Sequence, residues 1–231
     1  MPGVGIVLQA RMGSTRLPGK ILLPLCGKPL IDHALDRLEK IGLARMLVLA
    51  TSVDPSNDGL AEHAKQRGTI CFRGSEEDVL DRYYQAAKAF DFEHIVRATG
   101  DNPFVDYEEG QTLISHHLAG GYDYSCNFPS EGGLLPAGVG LEVFSFACLE
   151  RSWRMGLAPH HREHVNEYVL ENRRAFKFGI PKTPKCKQGP DLVMTVDTPQ
   201  DFDWAQSMIV SWRAEGHADT PDTAWLIAQS K

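Results

Sequence analysis

Short apolar runs alternate with amphipathic stretches over the first 120 residues, and the two periods are easy to separate. Val4–Leu8 is a continuous apolar run too short for a helix, so it reads as a strand buried on both faces. Residues 45–51 also read as a buried strand, and 69–72 and His94–Ala98 as short strands. Between them lie helical patterns: Leu30, Ala34, Leu35, Leu38 and Ile41 share one face after Pro29, with Gly42 as the stop signal. Further helices are predicted over 58–67, from Asp78 to Phe90, and over 107–118. Ser75 and Asp78 supply the start signal for the helix from Asp78 to Phe90.

Four strand–helix units in succession predict an α/β fold of three α/β/α layers around a mostly parallel sheet. In such a sheet ligands bind beyond the carboxyl ends of the strands. The loops at 10–20, 51–58, 73–75 and 99–103 should therefore share one edge. The pattern changes near residue 120. Residues 122–140 are rich in Gly, Pro and Ser, followed by a predicted strand at Gly140–Phe144, helices at 145–154 and 160–172, and strands at 175–180 and 192–196. Thr198, Pro199 and Asp201 mark another helix start, and a last helix covers 221–229. The expectation is one domain over 1–231, with its core in 1–121 and 186–231 and an insertion at about 122–185.

Composition narrows the partners. The 231 residues carry 24 Lys and Arg against 30 Asp and Glu, a net charge of −6, which argues against a nucleic-acid groove and leaves room for a small anionic ligand. Five cysteines without a close pair argue against a disulfide framework and suit a reducing cytoplasm. No apolar stretch approaches the ~20 residues of a membrane span, and the N-terminus lacks the charged start of an export signal. A cytoplasmic protein with no membrane partner is expected.

The first strand breaks into Arg11-Met-Gly-Ser-Thr-Arg-Leu-Pro-Gly-Lys20. Gly13, Pro18 and Gly19 forbid a helix, so Arg11, Arg16 and Lys20 sit on a loop that suits a polyphosphate. A solvated basic turn is the bland alternative. The spacing is not that of a P-loop, because five residues separate Gly13 from Gly19 and Lys20 precedes Ile21. Nor is there a Gly-x-Gly-x-x-Gly run.

The same ten residues resemble the signature of CMP-KDO synthetases and their cytidylyltransferase relatives. The longer run Leu8–Lys20 is most similar to the spore-coat polysaccharide biosynthesis protein F branch, as are Arg73–Tyr83, Arg97–Pro103, Arg162–Val165 and Thr195–Asp201. The resemblance implies a Rossmann-like fold of the nucleotide-diphospho-sugar transferase type. It implies transfer of CMP from CTP to the anomeric hydroxyl of an acidic sugar of the 3-deoxy-ulosonic type, with release of pyrophosphate. Arg11, Arg16, Lys20 and Asp101 are then the catalytic candidates. Leu8, Ala10, Gly13, Ser14, Arg73, Gly74 and Thr99 join the three cations as nucleotide contacts. Thr99 stands where CMP-KDO synthetases carry glutamine. Mg²⁺ is the implied cofactor, on Asp101 and Asp197. Glu142, Glu163 and His164 are the implied sugar contacts, and the insertion would also make a homodimer.

Each assignment has a structural alternative. Asp101 before Asn102-Pro103 also suits a turn, and Asp197 also belongs to a helix start. His160 and His164 are four apart, as metal ligands on a helix can be, but without a His-Glu-x-x-His pattern. At the level of function, three readings compete with the acidic-sugar transferase. They are a nucleotidyltransferase of another base or acceptor, a glycosyltransferase on a related fold, and a non-catalytic nucleotide-binding module.

Overall fold

The structure is a computed structural model that describes residues 3–230. The strands, in chain order, are β1 (Val4–Gln9), β2 (Pro24–Leu25), β3 (Lys28–Pro29), β4 (Met46–Ser52), β5 (Ile70–Gly74), β6 (His94–Thr99), β7 (Tyr124–Cys126), β8 (Glu142–Ser145) and β9 (Phe178–Gly179). Seven of them form one sheet in the order β5-β4-β1-β6-β8-β7-β9, while β2 and β3 make a separate small hairpin. Strands β5, β4, β1 and β6 are all parallel. Strand β8 runs against both β6 and β7, and β9 is parallel to β7.

The helices are α1 (Leu30–Leu38), α2 (Asp58–Arg67), α3 (Val79–Ala89), α4 (Tyr107–Gly120), α5 (Phe146–Met155), α6 (Pro159–Glu163), α7 (Glu167–Glu171), α8 (Pro199–Ala214) and α9 (Thr223–Gln229). They cover both faces. Along β1, Ile6 and Leu8 enter a core shared with α1, α2, α4, α8 and α9, whereas Val7 enters a second core shared with α3, α5 and α7. Alternate side chains of a strand point to opposite faces, so a strand with a core on each side must be apolar throughout. This is why Val4–Leu8 shows no polar alternation. The expected layers and mostly parallel sheet are present.

The caps follow the sequence signals closely. Asp78 is the N-cap of α3, accepting from Asp81 N at 2.8 Å, and Ser75 Oγ supports it from Asp78 N at 3.0 Å. At α8, Thr198 and Asp201 cap each other, with Thr198 N donating to Asp201 Oδ2 at 2.8 Å.

Four expectations in the second half need correction. Residues 192–196 make only one isolated bridge, Ala137 with Val193, so they are not a strand of the sheet. The single helix expected at 160–172 is two short helices, broken where His164 leaves the helical conformation. The strand at 175–180 shrinks to Phe178–Gly179, because Arg173–Ala175 form a 3₁₀ turn. Strand β7 was hidden in a Gly- and Pro-rich stretch that offered only three suitable residues in a row. Residues 122–185 supply β7, β8 and β9, so this segment widens the core sheet. Among the described residues no helix is long and apolar enough to cross a membrane.

Candidate active site

The carboxyl ends of β1 and β6 open into a cleft of about 400 Å³. Residues 10–20 form one wall. Ala10 is anchored in the core, and Met12 N donates to Asn57 Oδ1 at 2.8 Å, which ties the loop to the turn after β4. Leu17 N donates to Ser14 Oγ at 3.3 Å. Gly19 lies at φ 68°, a left-handed conformation that glycine adopts freely, and it turns the chain into the 3₁₀ helix Lys20–Leu22. The turn aims Lys20 inward. A Cβ at Gly13 would meet nothing within 4 Å, so that stretch of backbone is open to a ligand.

Lys20 is 6% exposed and organises the site. Its Nζ donates to Asp101 Oδ2 at 3.0 Å, Asp197 Oδ1 at 2.8 Å and the Val196 carbonyl at 2.7 Å. One ammonium therefore brings the turn after β6 together with the segment that leads into α8, 81 and 177 positions away in sequence. Arg16 Nη2 reaches the same Asp197 oxygen at 2.9 Å. Arg11 is held more loosely, 3.6 Å from Glu76. Asp101 and Asp197 thus present two hard oxygen donors to one cation position, the chemistry that a divalent ion such as Mg²⁺ requires. Either carboxylate is about a third exposed or less, and the pair is open to the cleft.

His164 also lines the cleft, from the break between α6 and α7. Arg162 fixes that break: its Nε and Nη2 both bond Asp78 Oδ2, at 2.8 and 2.5 Å, and its Nη1 bonds the Trp153 carbonyl at 2.8 Å. The His160–His164 pair of the sequence reading does not form. Instead His160 and His161 each place Nε2 2.7 Å from a Glu171 oxygen.

Of the anticipated residues, Ala10, Arg11, Gly13, Ser14, Arg16, Lys20, Thr99, Asp101, His164 and Asp197 line this cleft. Five others do not. Leu8 is wholly within the core. Arg73 is committed to the turn after β4, through Ser52 O at 2.8 Å, Asp54 O at 3.1 Å and Asp58 Oδ1 at 2.7 Å. Gly74 ends β5 at the same sheet edge but outside the lining. Glu163 is exposed on α6. Glu142 is completely buried: sheet register sets it opposite Arg97, with which it forms an ion pair, and it accepts from Tyr124 Oη at 2.6 Å. A carboxylate in an apolar strand needs a partner, and here the partners are internal.

The chain matches a family model described as Cytidylyltransferase over residues 5–180. It belongs to the cytidylyltransferase family. It is 35% identical over 208 residues to the spore coat polysaccharide biosynthesis protein SpsF of Bacillus subtilis, covering 88% of this chain and 85% of that protein. It is also 28% identical over 243 residues to the 3-deoxy-manno-octulosonate cytidylyltransferase of Brucella suis, covering 87% and 93% of the two chains. A solved cytidylyltransferase from Leptospira borgpetersenii superposes with a TM-score of 0.85 at 33% identity, over 91% of this chain and 88% of the other.

As a cytidylyltransferase, the chain has cleft residues that the motif reading passed over: Gln9, Thr15, Ile21 and Gly100. Gly100 had a readable cause. A Cβ there would stand 2.9 Å from the Ala10 Cβ, so only glycine lets the end of β6 pass the 10–20 loop. Gln9 had a signal too, as the first polar residue after an apolar run at a binding edge.

Proposed function

We propose that this cytidylyltransferase moves CMP from CTP onto the anomeric hydroxyl of an acidic sugar of the 3-deoxy-ulosonic type, releasing pyrophosphate for surface-polysaccharide synthesis. The observation that carries the proposal is the convergence of Asp101 and Asp197 on Lys20 at the mouth of the cationic loop. A non-catalytic nucleotide module has no need of two carboxylates aimed at its phosphate site. SpsF and the Brucella enzyme, by their names, support the polysaccharide setting and the sugar class.

In-line attack on the α-phosphorus builds charge on the phosphate oxygens and on the departing pyrophosphate, so catalysis rests on positioning and charge neutralisation. Arg11 and Arg16 fork onto phosphate oxygens, and Lys20 adds a compact charge. Backbone N–H groups around Gly13 and Ser14 approach the triphosphate. Asp101 and Asp197 would hold Mg²⁺, which when bound offsets phosphate charge. His164, in the cleft lining, contacts the acceptor sugar. The protein works in the cytoplasm as a homodimer, with residues 122–185 carrying acceptor and dimer contacts.

The test is pyrophosphate release from each of the four nucleoside triphosphates against a panel of acidic sugars, with neutral sugars and polyols beside them. CTP with a 3-deoxy-ulosonic acid should dominate. Turnover only with another base, or only with a polyol, would replace this reading.

A further inference from the structure

Among the described residues, one group of three metal-type ligands brings its donor atoms within 4.8 Å of one another: His160, His161 and Glu171. It stands outside the cleft, whose lining includes none of the three. His160 and His161 lie in the first turn of α6, and Glu171 is the last residue of α7. Each ring places Nε2 2.7 Å from its own oxygen of the Glu171 carboxylate. The two helices are thus joined at their far ends by three side chains.

Packing fixes the group before any ion arrives. His161 is 8% exposed and meets the Tyr168 ring edge to face at 5.5 Å. Behind it, a Cβ at Gly156 would come 3.1 Å from His161 Cβ and 3.2 Å from Tyr168 Cβ, so glycine lets this turn close on both. The His160 ring lies against that of His161, with centroids 4.2 Å apart. The nearest arginines along the chain are answered elsewhere, Arg162 by Asp78 and Arg173 by Glu131 at 2.9 Å. Ligands held in this way give up little freedom on binding.

Two imidazole nitrogens and a carboxylate oxygen are the donor set of a Zn²⁺ site with an open position, at bond lengths of about 2.0–2.2 Å. Tetrahedral ligands at that range stand about 3.3 Å apart, so the 2.7 Å contacts need to open by only about 0.6 Å. Nitrogen donors favour Zn²⁺ and its neighbours over Mg²⁺, whereas Asp101 and Asp197 offer hard oxygens alone. Coordination through Nε2 puts the ring proton on Nδ1. For His161 this gives up the contact from Ala158 N to Nδ1, which at 3.3 Å is long and weak. The gain is mechanical. Helices of five residues are marginal by themselves, and an ion held by both ties residues 161 and 171 together.

We propose that His160, His161 and Glu171 bind one divalent ion of the Zn²⁺ type, with water completing its shell. The ion clips α6 to α7 around the break that carries His164 into the cleft lining. This site is separate from the Asp101 and Asp197 position, and it holds whichever nucleotide and sugar the cleft takes.

The test is calorimetric titration of the full chain with Zn²⁺, with excess Mg²⁺ present throughout to fill the hard-oxygen position, in wild type, His160→Gln and Glu171→Gln. Both side chains are about half exposed, so the variants should melt close to wild type without Zn²⁺. Wild type should take up one equivalent, and each variant should bind at least about tenfold more weakly. Co²⁺ used in place of Zn²⁺ should give wild type a visible absorption band that both variants lack. Zn²⁺ should raise the melting temperature of wild type alone and slow hydrogen exchange within residues 159–171. A wild type that binds no Zn²⁺ in excess Mg²⁺ overturns the proposal. So does equal affinity in the two variants, which would move the ion to other ligands such as the exposed Cys186. Binding at these residues with exchange in 159–171 unchanged overturns the clip.

Discussion

Lys20 Nζ lies 2.8 Å from Asp197 Oδ1, across 177 residues of sequence, and the contact joins the cationic loop after β1 to the start of α8. The same nitrogen holds Asp101. Without ligand, the lysine is the cation that lets two carboxylates face one another. Replacing it with methionine leaves Asp101 and Asp197 repelling at the cleft without the cation between them. The expected cost, discounted because both carboxylates are partly exposed, is about 1–3 kcal/mol. Mg²⁺ should restore stability to Lys20→Met more than it stabilises wild type, since it replaces the missing charge. Thermal melts with and without Mg²⁺ decide this, and a variant indifferent to Mg²⁺ would count against the two aspartates as its ligands. Activity should fall at least about 100-fold.

Asp101→Asn separates metal binding from architecture. The amide keeps an oxygen for Lys20 while losing the charge that a divalent ion needs. Pyrophosphate release from CTP should drop to background, with melting temperature close to wild type because the side chain is partly exposed. Chelation of wild type with EDTA should reproduce the loss, and added Mg²⁺ should reverse it for wild type alone. Full activity in Asp101→Asn would sink the metal assignment.

Glu142 stands opposite Arg97 in the β6–β8 register and shares its carboxylate between that arginine and Tyr124. Glu142→Gln removes the negative charge and leaves the Arg97 cation buried. A destabilisation of about 3–5 kcal/mol is expected, the usual cost of breaking a buried pair from one side. Urea unfolding measures it. A variant of normal stability with a raised KM for the sugar would return Glu142 to the acceptor site.

Legibility in the sequence followed physical cause. Strands β1 and β4 could be read because burial on both faces leaves a nearly unbroken apolar run, while β5 and β6 could be read as short apolar stretches between helical patterns. The α8 start was readable because Thr198, Pro199 and Asp201 carry the cap by local chemistry alone. Lys20, Asp101 and Asp197 could be named from motif resemblance, but their meeting at one nitrogen depends on tertiary structure. Strand β7 is only three residues long and its stability comes from β8 and β9, so local sequence held little trace of it. The break at His164 depends on Arg162 reaching Asp78, 84 residues away.

His33 predicts how stability responds to acid. It is buried between Leu25 O, 2.8 Å from Nε2, and Thr220 Oγ1, 3.2 Å from Nδ1, and so links the β2–β3 hairpin to the C-terminal segment. Burial pushes its pKa down from 6.5 to about 4. The unfolded chain therefore binds more protons than the folded one between those values, and stability falls as pH drops through that window. A shift of this size corresponds to roughly 3 kcal/mol, present in full above pH 6.5 and lost on approach to pH 4. Other buried groups, His117 among them, add to the acid sensitivity of wild type. A difference between wild type and His33→Gln isolates the one residue. The stability gap between the two proteins in urea unfolding should narrow by about that amount between pH 7 and pH 4. A gap that stays constant with pH would show that His33 titrates alike in both states, and the link from hairpin to C-terminal segment would then have to be carried by other contacts.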